Sequence, residues 1–352
     1  MRSSLSNREP LRFDAFMERA LYAEPGGFYE SGGGAGRRTG DFLTSVEVGP
    51  LFGRLVARLA DRCWERLGRP GDFTLVDAGA GSGTLARSVL AANPACAGAL
   101  HYVLVERSGA LRLAHEELID RPLAAGACLE SRADLPDGVL DGLIIANELL
   151  DNLPCRLLER TVDGWAEVFV RADSPGAFVE ELRPLPTEEQ MVADALAPEA
   201  PVGGRIPLAS AAAEWVGRAL DTLRAGSLVV IDYTDSSATL AARPPWEWVR
   251  TYRAGVRGHE PLRDVGSSDI TVEVPLDQIL AAHPGAQVCD QATFLRSLGI
   301  DDLVDEGRAV WRERASVGDL AALEARSRVH EAEALCESSG LGGFTVAVWR
   351  RE

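Results

Sequence analysis

A glycine-rich turn is the part of this sequence whose residue types point most directly to a bound ligand. It reads Asp77-Ala-Gly-Ala-Gly-Ser-Gly83 and lies between a short apolar run and a helical pattern. Glycine permits a tight turn and lets a ligand lie against the backbone. The spacing of Gly79, Gly81 and Gly83 is G-x-G-x-G, which differs from the G-x-G-x-x-G of dinucleotide-binding proteins. Because Asp77 precedes the turn, we expect a cationic or zwitterionic ligand rather than a pyrophosphate. A dinucleotide site and a purely structural turn are the alternatives.

Two further acids follow the next apolar runs. Glu106 ends the run HYVLVE, where a carboxylate can accept hydrogen bonds from both hydroxyls of a ribose. Asp134 follows the third run, at a place where an acid often meets the amino group of an adenine. These positions predict contacts to a nucleoside, and the alternative for Glu106 is a solvated charge at the end of a strand.

The fourth apolar run ends in Ala146-Asn-Glu-Leu-Leu-Asp151. Ligands bind at the carboxyl ends of the strands in open α/β sheets, so we place Asn147 beside the ligand. Glu148 and Asp151 are three residues apart and share a face in a helical turn. Two acids there are predicted to hold and orient a cationic nucleophile, with a helix cap or an ion pair as the alternative.

The runs that carry these residues alternate with helical patterns. Strands are predicted at 73–78, 101–106, 127–130, 141–146, 227–233 and 344–349. Helices are predicted at 84–92, through 111–118 and at 211–223. The β-α-β-α order predicts an α/β fold with a parallel, doubly wound sheet. A hairpin over 157–170, turning at Asp163-Gly164, follows the fourth strand.

Two segments lie outside this alternation. Residues 1–70 show two helical stripes separated by a glycine-rich loop and are predicted as a helix-loop cap. Residues 71–352 are predicted as one Rossmann-like domain. Within that domain, residues from about 235 to 275 are rich in Arg, Gly, Pro and Trp and are predicted as an insertion over the ligand-binding edge. The Pro-rich stretch 175–207 is interpreted as a connection.

Composition excludes several classes of function. The chain of 352 residues has 53 Asp and Glu against 36 basic residues, a net charge of -17, which disfavours nucleic-acid binding. Every basic residue is Arg, which excludes a lysine Schiff base and a P-loop lysine. The six scattered Cys and five isolated His predict no disulfide frame and no metal site. No signal peptide or membrane span is expected, so the predicted location is cytoplasmic, with no membrane partner.

The motifs in their order resemble a known family. The pieces are Tyr22-Ala-Glu-Pro-Gly-Gly-Phe-Tyr29, Gly40-Asp-Phe-Leu-Thr-Ser45, the glycine turn, Ala146-Asn-Glu-Leu-Leu-Asp151, Val230-Ile-Asp-Tyr233, Arg257-Gly-His259 and Asp269-Ile-Thr271. Together they are similar to the MidA-like family of class I S-adenosylmethionine-dependent methyltransferases, which includes a mitochondrial complex I assembly factor with protein arginine methyltransferase activity. The sequence departs from the family pattern at Val46, Glu273 and Pro275.

The resemblance implies a Rossmann-like class I methyltransferase sheet with an N-terminal helical segment and an insertion that covers the ligand edge. It implies S-adenosylmethionine as cofactor, with Asp41, Thr44 and Ser45 closing over its methionine part. The implied acceptor is a protein arginine or another cationic nitrogen, with Glu148 as the first catalytic candidate and Asp151 as the second. A small-molecule O- or N-methyltransferase and a non-catalytic assembly protein are the alternatives, and a homodimer is left open.

Overall fold

A computed structural model describes residues 9–33, 44–119, 126–174, 176–253 and 256–352, and the structural statements below concern these residues. The strands are β1 Leu11–Arg12, β2 Phe73–Ala78, β3 Leu100–Val105, β4 Cys128–Arg132, β5 Leu140–Asn147, β6 Arg156–Thr161, β7 Gly164–Ser174, β8 Ala177–Pro184, β9 Arg205–Leu208, β10 Leu223–Asp232, β11 Thr234–Asp235, β12 Val249–Arg253, β13 Val256–Gly258, β14 Asp269–Val272, β15 Val274–Pro275, β16 Gln287–Asp290 and β17 Thr345–Arg351.

The helices are α1 Phe13–Tyr22, α2 Pro50–Arg66, α3 Thr84–Ala91, α4 Gly109–Ile119, α5 Thr187–Leu196, α6 Ser210–Thr222, α7 Ser237–Ala242, α8 Pro245–Trp248, α9 Leu276–Ala282, α10 Gln291–Ser297, α11 Ile300–Arg314 and α12 Leu320–Cys336. In the described part of the chain, none of these helices has both the length and the apolar character that crossing a membrane requires.

The main sheet has the strand order β16-β17-β10-β5-β2-β3-β4. The neighbours β10, β5, β2, β3 and β4 pair in parallel, and β17 runs antiparallel to both of its neighbours. The chain leaves β2 toward β3 on one side and returns through β5 on the other. The turns after these strands therefore meet at a topological switch point, where open α/β sheets bind ligands. The predicted α/β class and its doubly wound sheet are confirmed.

The sheet is buried on both faces because its strands are continuous apolar runs. Successive side chains of a strand point to opposite faces, so Leu75 and Val76 belong to two different cores. Helices α2, α3 and α10 to α12 contribute to the core that contains Leu75, and α6 and α9 contribute to the core that contains Val76.

The predicted cap over 1–70 is not one unit in the structure. Helix α2 packs inside the main core through Leu51, Leu55 and Leu59. Helix α1 packs instead against a second, antiparallel sheet of β1, β7, β6, β9 and β8, together with Trp248 and Ile270. The apolar stripe of α2 predicts a helix correctly, but a helical stripe does not say which layer it will cover.

The stretch 175–207, interpreted as a connection, contains β8, α5 and β9. Strand β8 consists of exposed and half-buried residues and pairs with β7. It adds a third strand to the hairpin of β6 and β7, which was predicted over 157–170. The prolines at both ends of β8 and α5 hid these elements, because proline is a strong signal for loops. The predicted insertion over about 235–275 forms α7, α8 and the three-stranded sheet β13-β12-β14.

Candidate active site

A cavity of about 550 Å³ lies at the carboxyl ends of β2, β3 and β5. Its volume is in the range of sites that enclose a small ligand. The turns after these strands form its floor, and residues of the N-terminal segment, among them Tyr22 and Tyr29, form one wall. Asp269 and Thr271 of β14 reach it from the predicted insertion. The cavity therefore joins the main sheet, the N-terminal segment and the predicted insertion.

The glycine turn after β2 presents its backbone to this cavity. Gly79 and Gly81 line it with φ values of +74° and +54°, which favour glycine. A Cβ on Gly81 would meet nothing within 4 Å, so the space beside this residue is open to a ligand. Gly83 does not line the cavity, and a Cβ there would lie 2.6 Å from Leu118. Gly83 was predicted as a cofactor contact, but the structure gives it a packing role at the start of α3.

Glu106 connects the end of β3 to the glycine turn. Its Oε2 accepts a hydrogen bond from the backbone N–H of Gly81 at 3.0 Å, and its Oε1 accepts one from Ser108 at 2.8 Å. The carboxyl group is buried, lines the cavity and has a pKa raised by that burial. Each oxygen of a carboxylate accepts more than one hydrogen bond, so Glu106 keeps capacity for the two hydroxyls of a ribose.

Two predicted cofactor contacts, Asp77 and Asp134, lie differently from the expectation. Asp77 is buried beneath the turn and does not line the cavity; its Oδ2 accepts a hydrogen bond from the Tyr102 hydroxyl at 3.1 Å. Burial raises the pKa of Asp77 to about 7. Asp134 lines the rim of the cavity, is largely exposed and forms an ion pair with Arg218 at 3.1 Å. The structure therefore gives Asp77 a supporting position beneath the turn. A ligand that contacts Asp134 would have to replace its ion pair with Arg218 or bind beside it.

Glu148 has the most constrained backbone among the residues of the cavity. Its φ is +53°, which costs energy for any residue other than glycine, and its N–H donates to the Ile231 carbonyl at 2.8 Å. The Oε1 atom accepts hydrogen bonds from the Ser45 N–H at 3.0 Å and from Asn147 Nδ2 at 2.9 Å. Burial, the largest cause, raises the pKa of Glu148 to about 8. Strain of this kind is typical of a functional position, and Glu148 lines the cavity.

The residues predicted to close over the cofactor are only partly described. Thr44 lines the cavity, whereas Ser45 is fully buried and reaches the site through its N–H on Glu148. The Ser45 hydroxyl donates to Gln291 Oε1 at 3.0 Å, which ties this loop to α10. Asp41 lies outside the described residues.

Asp151 and Asp269 form a second acidic group in the same cavity. Asp151 lies in the turn Leu150–Asn152 after β5, and Tyr233 donates its hydroxyl proton to Asp151 Oδ2. Asp269 accepts hydrogen bonds from the Tyr29 hydroxyl at 3.1 Å and from Asn152 Nδ2 at 3.0 Å. Burial is the main cause that raises the pKa of Asp151 to about 6 and that of Asp269 to about 7.

Sequence reasoning assigned no role to Asp269, Tyr29, Tyr233 or His115. His115 is fully buried on α4, and its Nε2 lies 2.8 Å from the Gly81 carbonyl oxygen, so it holds the glycine turn from below. An isolated His on an apolar helix face gives no signal for this contact. Asp269, Tyr29 and Tyr233 entered the sequence analysis only as parts of motifs that resemble the family, without a role of their own.

The residues present fit a nucleoside sulfonium cofactor. Four buried polar atoms of cavity residues have no hydrogen-bond partner among the described residues: Thr44 Oγ1, Asn147 Oδ1, Asp151 Oδ1 and Thr271 Oγ1. Buried polar atoms without partners are rare in folded proteins, so these atoms are expected to contact a ligand. The glycine turn offers open backbone, Glu106 suits a ribose, and the carboxylates suit positive charge. In contrast, the described residues contain no cluster of His, Cys, Asp and Glu that could hold a metal ion.

The strand order, with β17 antiparallel to its neighbours, and the site at the switch point define a class I S-adenosylmethionine-dependent methyltransferase. Residues 55–294 match the model of a family of S-adenosyl-L-methionine-dependent methyltransferases, and the chain belongs to this family. The predicted enzyme class, the cofactor and the resemblance to MidA-like proteins are thereby confirmed.

Individual relatives agree with this assignment. The chain is 26% identical over 330 residues to the mitochondrial protein arginine methyltransferase NDUFAF7 of Mus musculus, covering 83% of this chain and 71% of that protein. It is 28% identical over 303 residues to the homologue from Drosophila melanogaster, covering 78% and 67%. A crystal structure of a Burkholderia thailandensis protein bound to S-adenosyl-homocysteine is similar with a TM-score of 0.83 and 28% identity, covering 99% of this chain and 91% of that one.

Proposed function

We propose that the protein transfers a methyl group from S-adenosylmethionine to an arginine side chain of a protein. The observation that carries this proposal is the set of three carboxyl groups, Glu148, Asp151 and Asp269, around one cavity. Burial raises their pKa values, so ionising these groups costs free energy in the folded protein. A cation between them would relieve that cost, because an opposite charge favours the ionised form of a carboxyl group.

The bound cofactor supplies an electrophilic methyl group on a sulfonium centre. Glu148 is suited to hold a guanidinium nitrogen opposite that methyl group, since its Oε1 is fixed by Ser45 and Asn147 and its Oε2 is left for the acceptor. An arginine must lose a proton when it is methylated, and its ordinary pKa lies above about 12. A carboxylate that localises the guanidinium charge and accepts the leaving proton would provide general-base assistance. Burial raises the pKa of Glu148 to about 8, which brings its basicity closer to this task than that of an ordinary carboxylate.

Two further facts support a protein arginine as acceptor. The relatives from mouse and fly are named as protein arginine methyltransferases. The net charge of -17 favours encounter with a basic partner rather than with an acidic one.

The experiment that tests this proposal is a methylation screen. Cell lysate depleted of its own cofactor is incubated with the protein and S-adenosylmethionine carrying a labelled methyl group. We expect a labelled protein whose hydrolysate contains methylarginine. Label that enters only small molecules would replace the proposed acceptor by a small-molecule acceptor. Absence of any transfer, together with absence of S-adenosylhomocysteine binding, would support a non-catalytic assembly protein.

Glu148→Gln is the variant that links this activity to the site. Gln has nearly the shape of Glu and still accepts a hydrogen bond at its Oε1, so cofactor affinity should stay close to that of the wild type. We expect single-turnover transfer to fall by about 10²–10⁴-fold, the usual span for a positioned acid–base group. Asp305→Asn, on the exposed surface of α11, removes one carboxylate far from the cavity and is the matched control. Near-normal transfer by Glu148→Gln would assign this carboxylate a structural role.

The cytoplasmic location and the homodimer stay predictions. Fractionation of cells that express the chain would check the first, and analytical ultracentrifugation would check the second.

A further inference from the structure

Two aspartates from distant parts of the chain face the cavity in the same manner. Asp151 follows β5, and its Oδ2 accepts a hydrogen bond from the Tyr233 hydroxyl. Asp269 begins β14 and accepts a hydrogen bond from the Tyr29 hydroxyl, whose oxygen lies 3.1 Å from both carboxylate oxygens. Each carboxylate is thus anchored by one tyrosine that also lines the cavity.

Each aspartate keeps one oxygen with spare capacity. Asp151 is only 4% exposed, and its Oδ1 has no hydrogen-bond partner among the described residues. Asp269 Oδ1 accepts from Asn152 Nδ2 at 3.0 Å and from its neighbour Ile270 N–H at 2.9 Å. Asp269 Oδ2 has only the shared hydroxyl of Tyr29 as a donor in the described structure. Leaving a buried carboxylate oxygen without a donor is costly, which points to a donor that arrives with a ligand.

The two aspartates are also close to each other. Asn152 directly follows Asp151 in the chain and binds the carboxylate of Asp269, so the turn after β5 and strand β14 are connected at this point. Asn152 donates a second hydrogen bond to the Ile270 carbonyl at 3.2 Å. Two carboxylates on adjoining walls of one cavity repel each other, and a cation between them removes that repulsion.

We propose that Asp151 and Asp269 together form the acceptor subsite and hold the guanidinium group of the arginine to be methylated. This inference rests on the proposed function and goes beyond it, because it assigns a specificity role to Asp269 and to the insertion that carries it. The guanidinium group has five N–H donors in a plane and binds two carboxylates at once. The subsite therefore selects arginine over lysine, whose ammonium group is a point charge, and over a neutral acceptor.

The aromatic residues of the cavity suit the same ligand. Tyr22 and Tyr29 are stacked with their ring centres 5.4 Å apart and an angle of 18° between the rings. Both line the cavity, as do Phe28 and Tyr233. Guanidinium groups of the protein itself already pack on two of these rings: Arg107 lies 4.3 Å from the ring centre of Tyr22, and Arg250 lies 4.9 Å from that of Tyr233. The lining of the cavity thus accepts guanidinium groups, and an arginine acceptor would share it with these two residues.

The test uses the protein saturated with S-adenosylhomocysteine and three small probes: N-acetyl-arginine amide, N-acetyl-lysine amide and N-acetyl-citrulline amide. Their dissociation constants are measured by NMR titration. We expect the arginine probe to bind at least about 10-fold more tightly than the other two. Asp269→Asn should weaken its binding by about 10–150-fold, the range for a hydrogen bond to a charged group. Affinity for S-adenosylhomocysteine should change by less than about twofold, since Asp269 is assigned to the acceptor.

Tyr29→Phe is the second variant and guards against misfolding of Asp269→Asn. It removes only the anchoring hydroxyl, so we expect a smaller loss of arginine affinity, with the Asp305→Asn control unchanged. Equal binding of the arginine and citrulline probes, no binding to the wild type, or unchanged affinity in Asp269→Asn would overturn the subsite.

The outcomes separate this inference from the proposed function. If the subsite binds the arginine probe through Asp269 but the lysate screen labels only small molecules, the proposed function fails and the subsite stands. If the screen finds methylarginine and Asp269→Asn leaves the KM for that acceptor unchanged, only the subsite fails.

Discussion

The replacement of Gly81 by leucine tests the cofactor site with a control that the chain itself supplies. Gly81 and Gly68 both have positive φ values, +54° and +80°, and a Cβ on either would meet no atom within 4 Å. Gly81 lines the cavity, whereas Gly68 lies on the surface after α2. A leucine at either position therefore suffers the same backbone strain, but only the side chain added in Gly81→Leu would project into the space for the cofactor.

The size of both effects follows from this comparison. A left-handed conformation costs a residue with a Cβ about 1–2 kcal/mol. For a chain of this length, that cost lowers the melting temperature by about 1–3 °C in both variants. At Gly81, the added side chain also competes with the ligand for the same space, and overpacking of this kind costs about 1–3 kcal/mol. We expect the Kd for S-adenosylhomocysteine to rise by about 10–100-fold in Gly81→Leu, and to stay unchanged in Gly68→Leu.

The assay is isothermal titration calorimetry with S-adenosylhomocysteine, preceded by thermal melting of the two variants without ligand. If the two variants melt at similar temperatures and only Gly81→Leu binds S-adenosylhomocysteine more weakly, the loss of affinity comes from the occupied ligand space and not from a damaged fold. A folded Gly81→Leu protein with wild-type affinity would refute the placement of the cofactor against this turn. If Gly68→Leu also binds S-adenosylhomocysteine more weakly, backbone strain would be acting on the site from a distance.

Three further outcomes are expected. Glu106→Ala should raise the Kd for S-adenosylhomocysteine by about 10–150-fold, the equivalent of about 1.5–3 kcal/mol for hydrogen bonds to a charged group, and NAD should bind neither protein in the same titration. For Asp77, burial raises the pKa to about 7, so the folded protein binds a proton that the unfolded chain releases at lower pH. The resulting loss of stability as pH rises from 5 to 7, up to about 1.4 kcal/mol per pH unit from this group, should be smaller in Asp77→Asn when the two are unfolded in urea at each pH. Equal slopes for Asp77→Asn and the wild type would contradict the burial of this carboxyl group. For methyl transfer, kcat/KM should rise with pH and level off above about 8, because the base form of Glu148 is required and its pKa is raised to about 8. The same pH profile in Glu148→Gln would assign the titration to another group.

The sequence predicts the sheet, and the site residues that directly follow its strands, well for a physical reason. Strands β2, β3 and β5 are buried on both faces, so they appear as uninterrupted apolar runs, and the residues at their ends are readily located. Once these strands are located, the positions of Gly81, Glu106 and Glu148 at their carboxyl ends can be predicted. No such local rule applies to Tyr29 and Asp269, which hydrogen-bond across 240 residues of chain. Their approach depends on how α1 and the insertion pack, which the pattern of either segment does not reveal.

The position of β17 inside the sheet has a consequence for how the protein is synthesised. Thr345–Arg351 pairs with β10 on one side and with β16 on the other. At about 5–20 residues per second, a ribosome needs about 6–24 s to proceed from the end of β10 to the end of β17. During this interval β10 is an open edge with apolar side chains on both faces, the kind of edge that pairs with other chains. The β10 edge of a nascent chain is therefore covered only once the last strand has been made, and a product that ends before Thr345 keeps that edge exposed and prone to aggregation.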